Sequence, residues 1–166
     1  VSRLLSLADF ERKSRANDPP DFHLKRIERL LGSLGDPQVG QKYVHVAGSK
    51  GKGSTSAMIA WSLAADGYTT GLFTSPSIHK ITERIRVNGE PVSERVFAQL
   101  VDDCWPAVEK VTADGDIGVI SVFELETAMA FRHFANLKAD ISVIEVGLGG
   151  RLDSTNIVDP VVTCIS

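Results

Sequence analysis

Residues 44–68 read VHVAGSKGKGSTSAMIAWSLAADGY. An apolar segment runs into three glycines and two lysines within positions 48–53, and then into a helical pattern. YVHVA (43–47) has the length and apolar density of a short buried strand. Ala57, Met58, Trp61, Ala64 and Ala65 fall on one face of a helix that should start at the glycine loop and stop at Gly67. Strand, glycine loop and helix in this order form a cradle for an anion. Glycines let backbone N–H groups approach it closely, and the helix aims its positive end at the same place. The spacing departs from the common phosphate loop G-x-x-x-x-G-K-[ST]. With Lys52 as its lysine, the first glycine would fall at Val46 and the hydroxyl at Gly53. Here Gly48 has moved closer, and Gly53 separates Lys52 from Ser54. The candidate nucleotide-binding residues are therefore Gly48, Ser49, Lys50, Gly51, Lys52, Gly53, Ser54 and Thr55. Lys52 offers a mobile charge to terminal phosphates, and Ser54 or Thr55 a hydroxyl for a metal ion. A glycine-rich turn with solvated lysines is the plainer alternative.

Outward from this stretch, strands and helices alternate. Residues 1–20 form a polar lead-in ending in NDPP, a helix-breaking turn. Leu24, Ile27, Leu30, Leu31 and Leu34 recur at helical spacing. TTGLFT (69–74) is expected as the next strand, and ITERIRVNGEPVSE as a hairpin or irregular excursion about Asn88-Gly89. Ser93 should cap a helix that Pro106 kinks or shortens. Ser121 and Glu124 make a capping-box pattern before another helix. ISVIEV (141–146) and VVTCIS (161–166) are the last expected strands. The pattern predicts an α/β fold, a parallel sheet covered by helices on both faces. The last strand has no covering helix after it, so the domain is expected to continue beyond Ser166.

The chain of 166 residues is 43% hydrophobic and 23% charged, which suits one globular domain. A net charge of −3 gives no broad basic field for nucleic acid. No apolar run approaches the roughly 20 residues of a membrane span, and the N-terminus lacks a signal-peptide core. Cys104 and Cys164 both lie in apolar patterns, as expected of reduced, buried thiols in a cytoplasmic protein.

A triphosphate site needs a carboxylate to hold Mg²⁺. Glu145 follows ISVI near the C-terminal end of a strand, where open parallel sheets place ligands, and GLGG follows Val146. Pairing with Arg151 or a backbone amide is the plainer alternative. Ser75, at the end of the neighbouring strand, offers another oxygen. The capping box explains Glu124 without a ligand. His23, His45, His79 and His133 show no metal spacing and are expected to be structural or exposed.

HVAGSKGKGST, TSP, ERIRVNGE, SVFELETAMAF and EVGLGGRLDSTN, in this order, resemble the N-terminal ATPase domain of the dihydrofolate synthase/folylpolyglutamate synthase family, a branch of the Mur ligase superfamily. The resemblance spans about residues 20–166 and implies a Mur-ligase central-domain-like fold. It implies an ATP- and Mg²⁺-dependent carboxylate–amine ligase that joins L-glutamate to dihydropteroate or to a folate tail through an acyl phosphate, in a cytoplasmic monomer with no nucleic-acid or membrane partner. By family position, Lys52 and Glu145 would be catalytic, and Ser54, Ser75 and Glu145 would hold the metal. Asp21, Phe22, His23, Ser121, Val122, Phe123, Glu124, Leu152, Asp153 and Ser154 would contact the pteridine substrate, with Arg84 and Arg151 orienting anionic groups. The chain departs from the family's T-N-G-K-G at Ser49 and Lys50, and from S-P-H-L at SPSIH (75–79). The family's metal-binding histidine, modified lysine and C-terminal domain are expected beyond Ser166, and the 166-residue piece alone is expected to be inactive. A Mur-type peptidoglycan ligase, a phosphotransferase acting on a hydroxyl, and binding without catalysis are the competing readings.

Overall fold

The computed structural model describes residues 2–7 and 22–166, so most of the lead-in expected over 1–20 lies outside the described residues. The order is α1 (Ser2–Leu5), α2 (Phe22–Ser33), β1 (Tyr43–Ala47), α3 (Lys52–Ala65), β2 (Thr70–Phe73), a 3-10 turn (Ile81–Arg84), β3 (Ile85–Val87), β4 (Glu90–Pro91), α4 (Glu94–Asp114), α5 (Val122–Asn136), β5 (Ile141–Glu145) and β6 (Val162–Ile165). They build one six-stranded sheet in the order β4-β3-β2-β5-β1-β6. β2, β5, β1 and β6 are parallel, as expected. β3 and β4 add an antiparallel hairpin on one edge. Asn88 and Gly89, with φ of 51° and 85°, make the turn between them. Positive φ at both central residues matches the right-handed twist of the flanking strands.

Alternation along the strands separates two cores. Tyr43, Phe73 and Ile144 face the large cluster built with α2, α4 and α5. Val44, Val46, Leu72 and Val143 face the opposite way, onto Ala57, Ile59, Ala60 and Leu63 of α3. Both sheet faces are thus covered, which is why these strands are apolar throughout. Parallel β1 and β5 bring Val46 beside Glu145, so the glycine loop and the end of β5 meet at one sheet edge.

Three expectations need correction. α4 runs unbroken for 21 residues with Pro106 inside it. An interior proline costs about 3 kcal/mol. Leu100, Val101 and Cys104 before it and Ala107, Val108 and Val111 after it bury one continuous face, and each large apolar side chain contributes roughly 1.5–3 kcal/mol. Packing therefore outweighs the lost hydrogen bond. Cys104 is fully buried, and burial pushes its thiol up to about 11. Cys164, on β6, is only half-buried among the described residues. Strands and helices also end one or two residues inside their expected limits: α3 stops at Ala65, capped by Asp66.

Candidate nucleotide and metal site

The loop 48–51 carries the chain from β1 into α3. Gly51 is the N-cap, with φ of 77°. That left-handed conformation costs roughly 1–2 kcal/mol per residue with a side chain, which is why a glycine stands there. No described side chain caps this helix. The first ladder bond is Thr55 N–H to Gly51 O at 2.9 Å, so helix geometry leaves the N–H groups of 51–54 for another acceptor. A Cβ on Gly51 would meet open space, so the loop is approachable. Ser49 and Lys50 are exposed. Lys52 is half-buried and donates from Nζ to Gly48 O at 3.2 Å, folding its charge back over the loop.

Glu145 ends β5 and is 4% exposed. Its Oε2 accepts the Ser75 backbone N–H at 3.0 Å, the amide partner that the sequence left as one alternative. A Cβ added to Gly53 would lie 3.5 Å from both carboxylate oxygens, so Glu145 rests against the first turn of α3. The positive end of the helix favours a carboxylate there. Gly51, Gly53, Ser54, Ser75 and Glu145 line one cavity of about 540 Å³ together with Trp61 and Arg86. The three candidate metal residues therefore line the same cavity. One carboxylate with two hydroxyls suits Mg²⁺, a hard ion that keeps several waters and takes phosphate oxygens. Among the described residues no cluster of three His, Cys, Asp or Glu offers a closed metal cage. A larger, more apolar cavity of about 760 Å³, lined by Leu4, Ile81, Phe97 and Val101, holds none of the candidate residues.

The expected substrate residues divide. Asp21 lies outside the described residues, and Phe22 and His23 open α2. Ser121 and Glu124 form the capping box: Ser121 N–H donates to Glu124 Oε2 at 2.7 Å, and Glu124 N–H to Ser121 Oγ at 3.2 Å. Arg26 Nε donates to Glu124 Oε1 at 2.9 Å, both side chains being buried. Glu124 is thus committed to helix start and ion pair. The Phe123 ring covers Gly147, where a Cβ would come within 2.5 Å of it and within 3.1 Å of Asp153 Oδ2. Segments 121–124 and 152–154 therefore converge two residues beyond Glu145. Val122 and Leu152 are partly buried; Ser154 is buried. Asp153 Oδ2 accepts Leu148 N–H at 2.8 Å; its Oδ1 accepts the Thr155 N–H at 3.0 Å and hydroxyl at 2.6 Å. Arg84 departs from expectation. It is buried with Nη1 2.6 Å from Glu126 Oε2, because the 3-10 turn points it into the core rather than toward an anionic ligand. Arg151 is exposed. Sequence reading did not place Arg26, Trp61 or Arg86 at the site; only a basic residue on an otherwise apolar helix face marked Arg26.

No protein-family model matches the chain. It is 45% identical over 144 residues to the dihydrofolate synthase/folylpolyglutamate synthase of Bacillus subtilis, covering 86% of this chain and 33% of that protein. Over this span the chain is similar to the folylpolyglutamate synthases. Its fold superposes on a solved FPGS–AMPPCP–folate complex with a TM-score of 0.87 and 37% identity, covering 99% of this chain and 38% of that one. A folylpolyglutamate synthase of Mycobacterium tuberculosis complexed with ADP and AMPPCP gives a TM-score of 0.83 at 36% identity, over 86% of this chain and 32% of that one. The folylpolyglutamate synthase structures share the expected Mur-ligase-type fold. The chain spans a third or less of the length of the curated relatives it matches.

Proposed function

We propose that the full-length protein is an ATP-dependent ligase that joins L-glutamate to dihydropteroate or to the glutamate tail of a folate. The observation that carries this reading is the uncapped start of α3, whose Gly51, Gly53 and Ser54 line one cavity with Glu145 and Ser75. Similarity to relatives and neighbours named for folate supports the substrate class. The N–H groups of 51–54 receive the phosphates, and Lys52 turns from Gly48 O to the terminal ones. Ser54, Ser75 and Glu145 would hold Mg²⁺, which would cancel charge between the nucleotide and an incoming carboxylate. That carboxylate attacks the γ-phosphorus, giving an acyl phosphate and ADP. The glutamate amine then attacks the acyl carbon; phosphate leaves, the nitrogen loses a proton, and an amide results. Both steps bring anions or dipoles together in a fixed place, so positioning and fixed positive ends supply much of the acceleration. The wall formed by 121–124 and 152–154, with Asp21, Phe22 and His23, is the proposed pteroate side, and the cytoplasm the proposed setting.

The test is ADP release by the full-length protein with dihydropteroate or a folate, with and without glutamate. Glutamate-dependent ADP with a new amide in the product is expected. ADP release driven by UDP-linked peptides, or phosphate transferred to a hydroxyl, would sink this reading.

A further inference from the structure

We propose that His45 is a positioning residue that fixes the loop 147–156 through Thr155 and Asp153. His45 lies on β1, three residues before the glycine loop, and is 8% exposed. Its Nε2 is 2.8 Å from Thr155 Oγ1. Thr155 Oγ1 donates to Asp153 Oδ1 at 2.6 Å, and Asp153 Oδ2 accepts Leu148 N–H at 2.8 Å. Thr155 is fully buried and Asp153 is 1% exposed. A chain of side chains thus runs from the central strand to the backbone just after β5.

Proton counting sets its direction. A threonine hydroxyl has one proton to give, and a carboxylate only accepts. Thr155 spends its proton on Asp153, so its oxygen must accept from His45. His45 therefore carries its proton on Nε2. Burial disfavours a second proton on the ring. The Asp153 carboxylate in turn braces the loop twice, at Leu148 and at Thr155. The loop leaves β5 two residues after Glu145, under the Phe123 ring at Gly147. Loss of the His45 bond would free that loop while leaving Gly48–Thr55 their own backbone bonds. The kinetic consequence rests on the ligase reading; the tautomer and the bracing do not.

The experiment compares His45→Leu, His45→Gln and Thr155→Val in the full-length protein. His45→Leu should raise KM for dihydropteroate or folate about tenfold, the worth of one buried hydrogen bond, and leave AMPPCP affinity within about twofold. His45→Gln, whose Nε2 can donate from nearly the same place, should restore most of the loss. The double variant His45→Leu/Thr155→Val should be no worse than Thr155→Val alone. Equal losses for folate and nucleotide, no rescue by Gln, or additive losses would overturn the proposal. Nitrogen NMR of the wild-type imidazole should show the Nε2–H tautomer; an Nδ1–H tautomer overturns the proposal even if the variants fail to fold. If the wild-type protein shows no glutamate-dependent ADP release, the ligase reading fails. The proposal then stands or falls on that tautomer and on slow amide exchange at Leu148 and Thr155.

Discussion

Two helices begin at the same edge of the sheet, on opposite faces, and they begin in opposite ways. α5 is closed by its own residues: Ser121 and Glu124 exchange bonds, and Arg26 neutralises the carboxylate. α3 starts at a glycine with no described side-chain cap. Each helix end offers about half a positive charge and several unpaired N–H groups. The first satisfies them with residues of its own first turn, whereas the second makes no described side-chain cap bond and has the Glu145 carboxylate, from β5, resting against its first turn. The same contrast explains the two glutamates. Glu124 serves its own helix, whereas Glu145 borders the cavity at the start of another.

Substitutions at the two ends should separate function from stability. Lys52→Ala in the full-length protein should lower nucleotide-dependent turnover by about 10³-fold, as loss of a preorganised cationic donor does, while its urea midpoint stays near that of the wild type. A turnover loss below roughly tenfold would make α3 an ordinary helix start. Arg26→Leu should do the reverse: it strands Glu124 without its buried partner and should cost about 3–5 kcal/mol in urea unfolding. AMPPCP affinity of the folded fraction should be unchanged. A change under about 1 kcal/mol would mean that Glu124 is not held as described.

Ser121→Ala removes the cap of α5 and should cost about 1 kcal/mol. Removing the glycine loop's own hydroxyl, Ser54→Ala, should leave urea stability unchanged, because no described cap bond depends on it. If both variants lose stability equally, the contrast between the two helix ends fails. The smallest effect concerns pH. Burial holds His45 and His133 below the ordinary value of 6.5. Below that value the unfolded chain binds protons that the folded chain resists, so stability rises with pH up to about 6.5 and is lost as pH falls through it. Urea unfolding between pH 5 and 7.5 should show this slope, and His45→Gln should reduce it. A flat profile would mean that neither ring is desolvated.

Sequence by itself determined the local devices. The glycine run before an apolar helix, the Ser121–Glu124 spacing and a charge at the end of ISVIE all depend on neighbours a few residues away, where helix and strand periods act. The Asn88-Gly89 turn was legible for the same reason. Pro106 was expected to kink or shorten α4; packing against α2 and α5 carries the helix on to Asp114. Tertiary structure alone decided which strands are neighbours and therefore which residues meet. The sheet order places β5 between β1 and β2, so Glu145 reaches the Ser75 amide 70 residues away. It also set Arg84 against Glu126, and His45 against Thr155 across 110 residues. Such pairs follow from strand order and helix packing, which periodicity does not encode: an amphipathic pattern says which face is buried, but not what it is buried against.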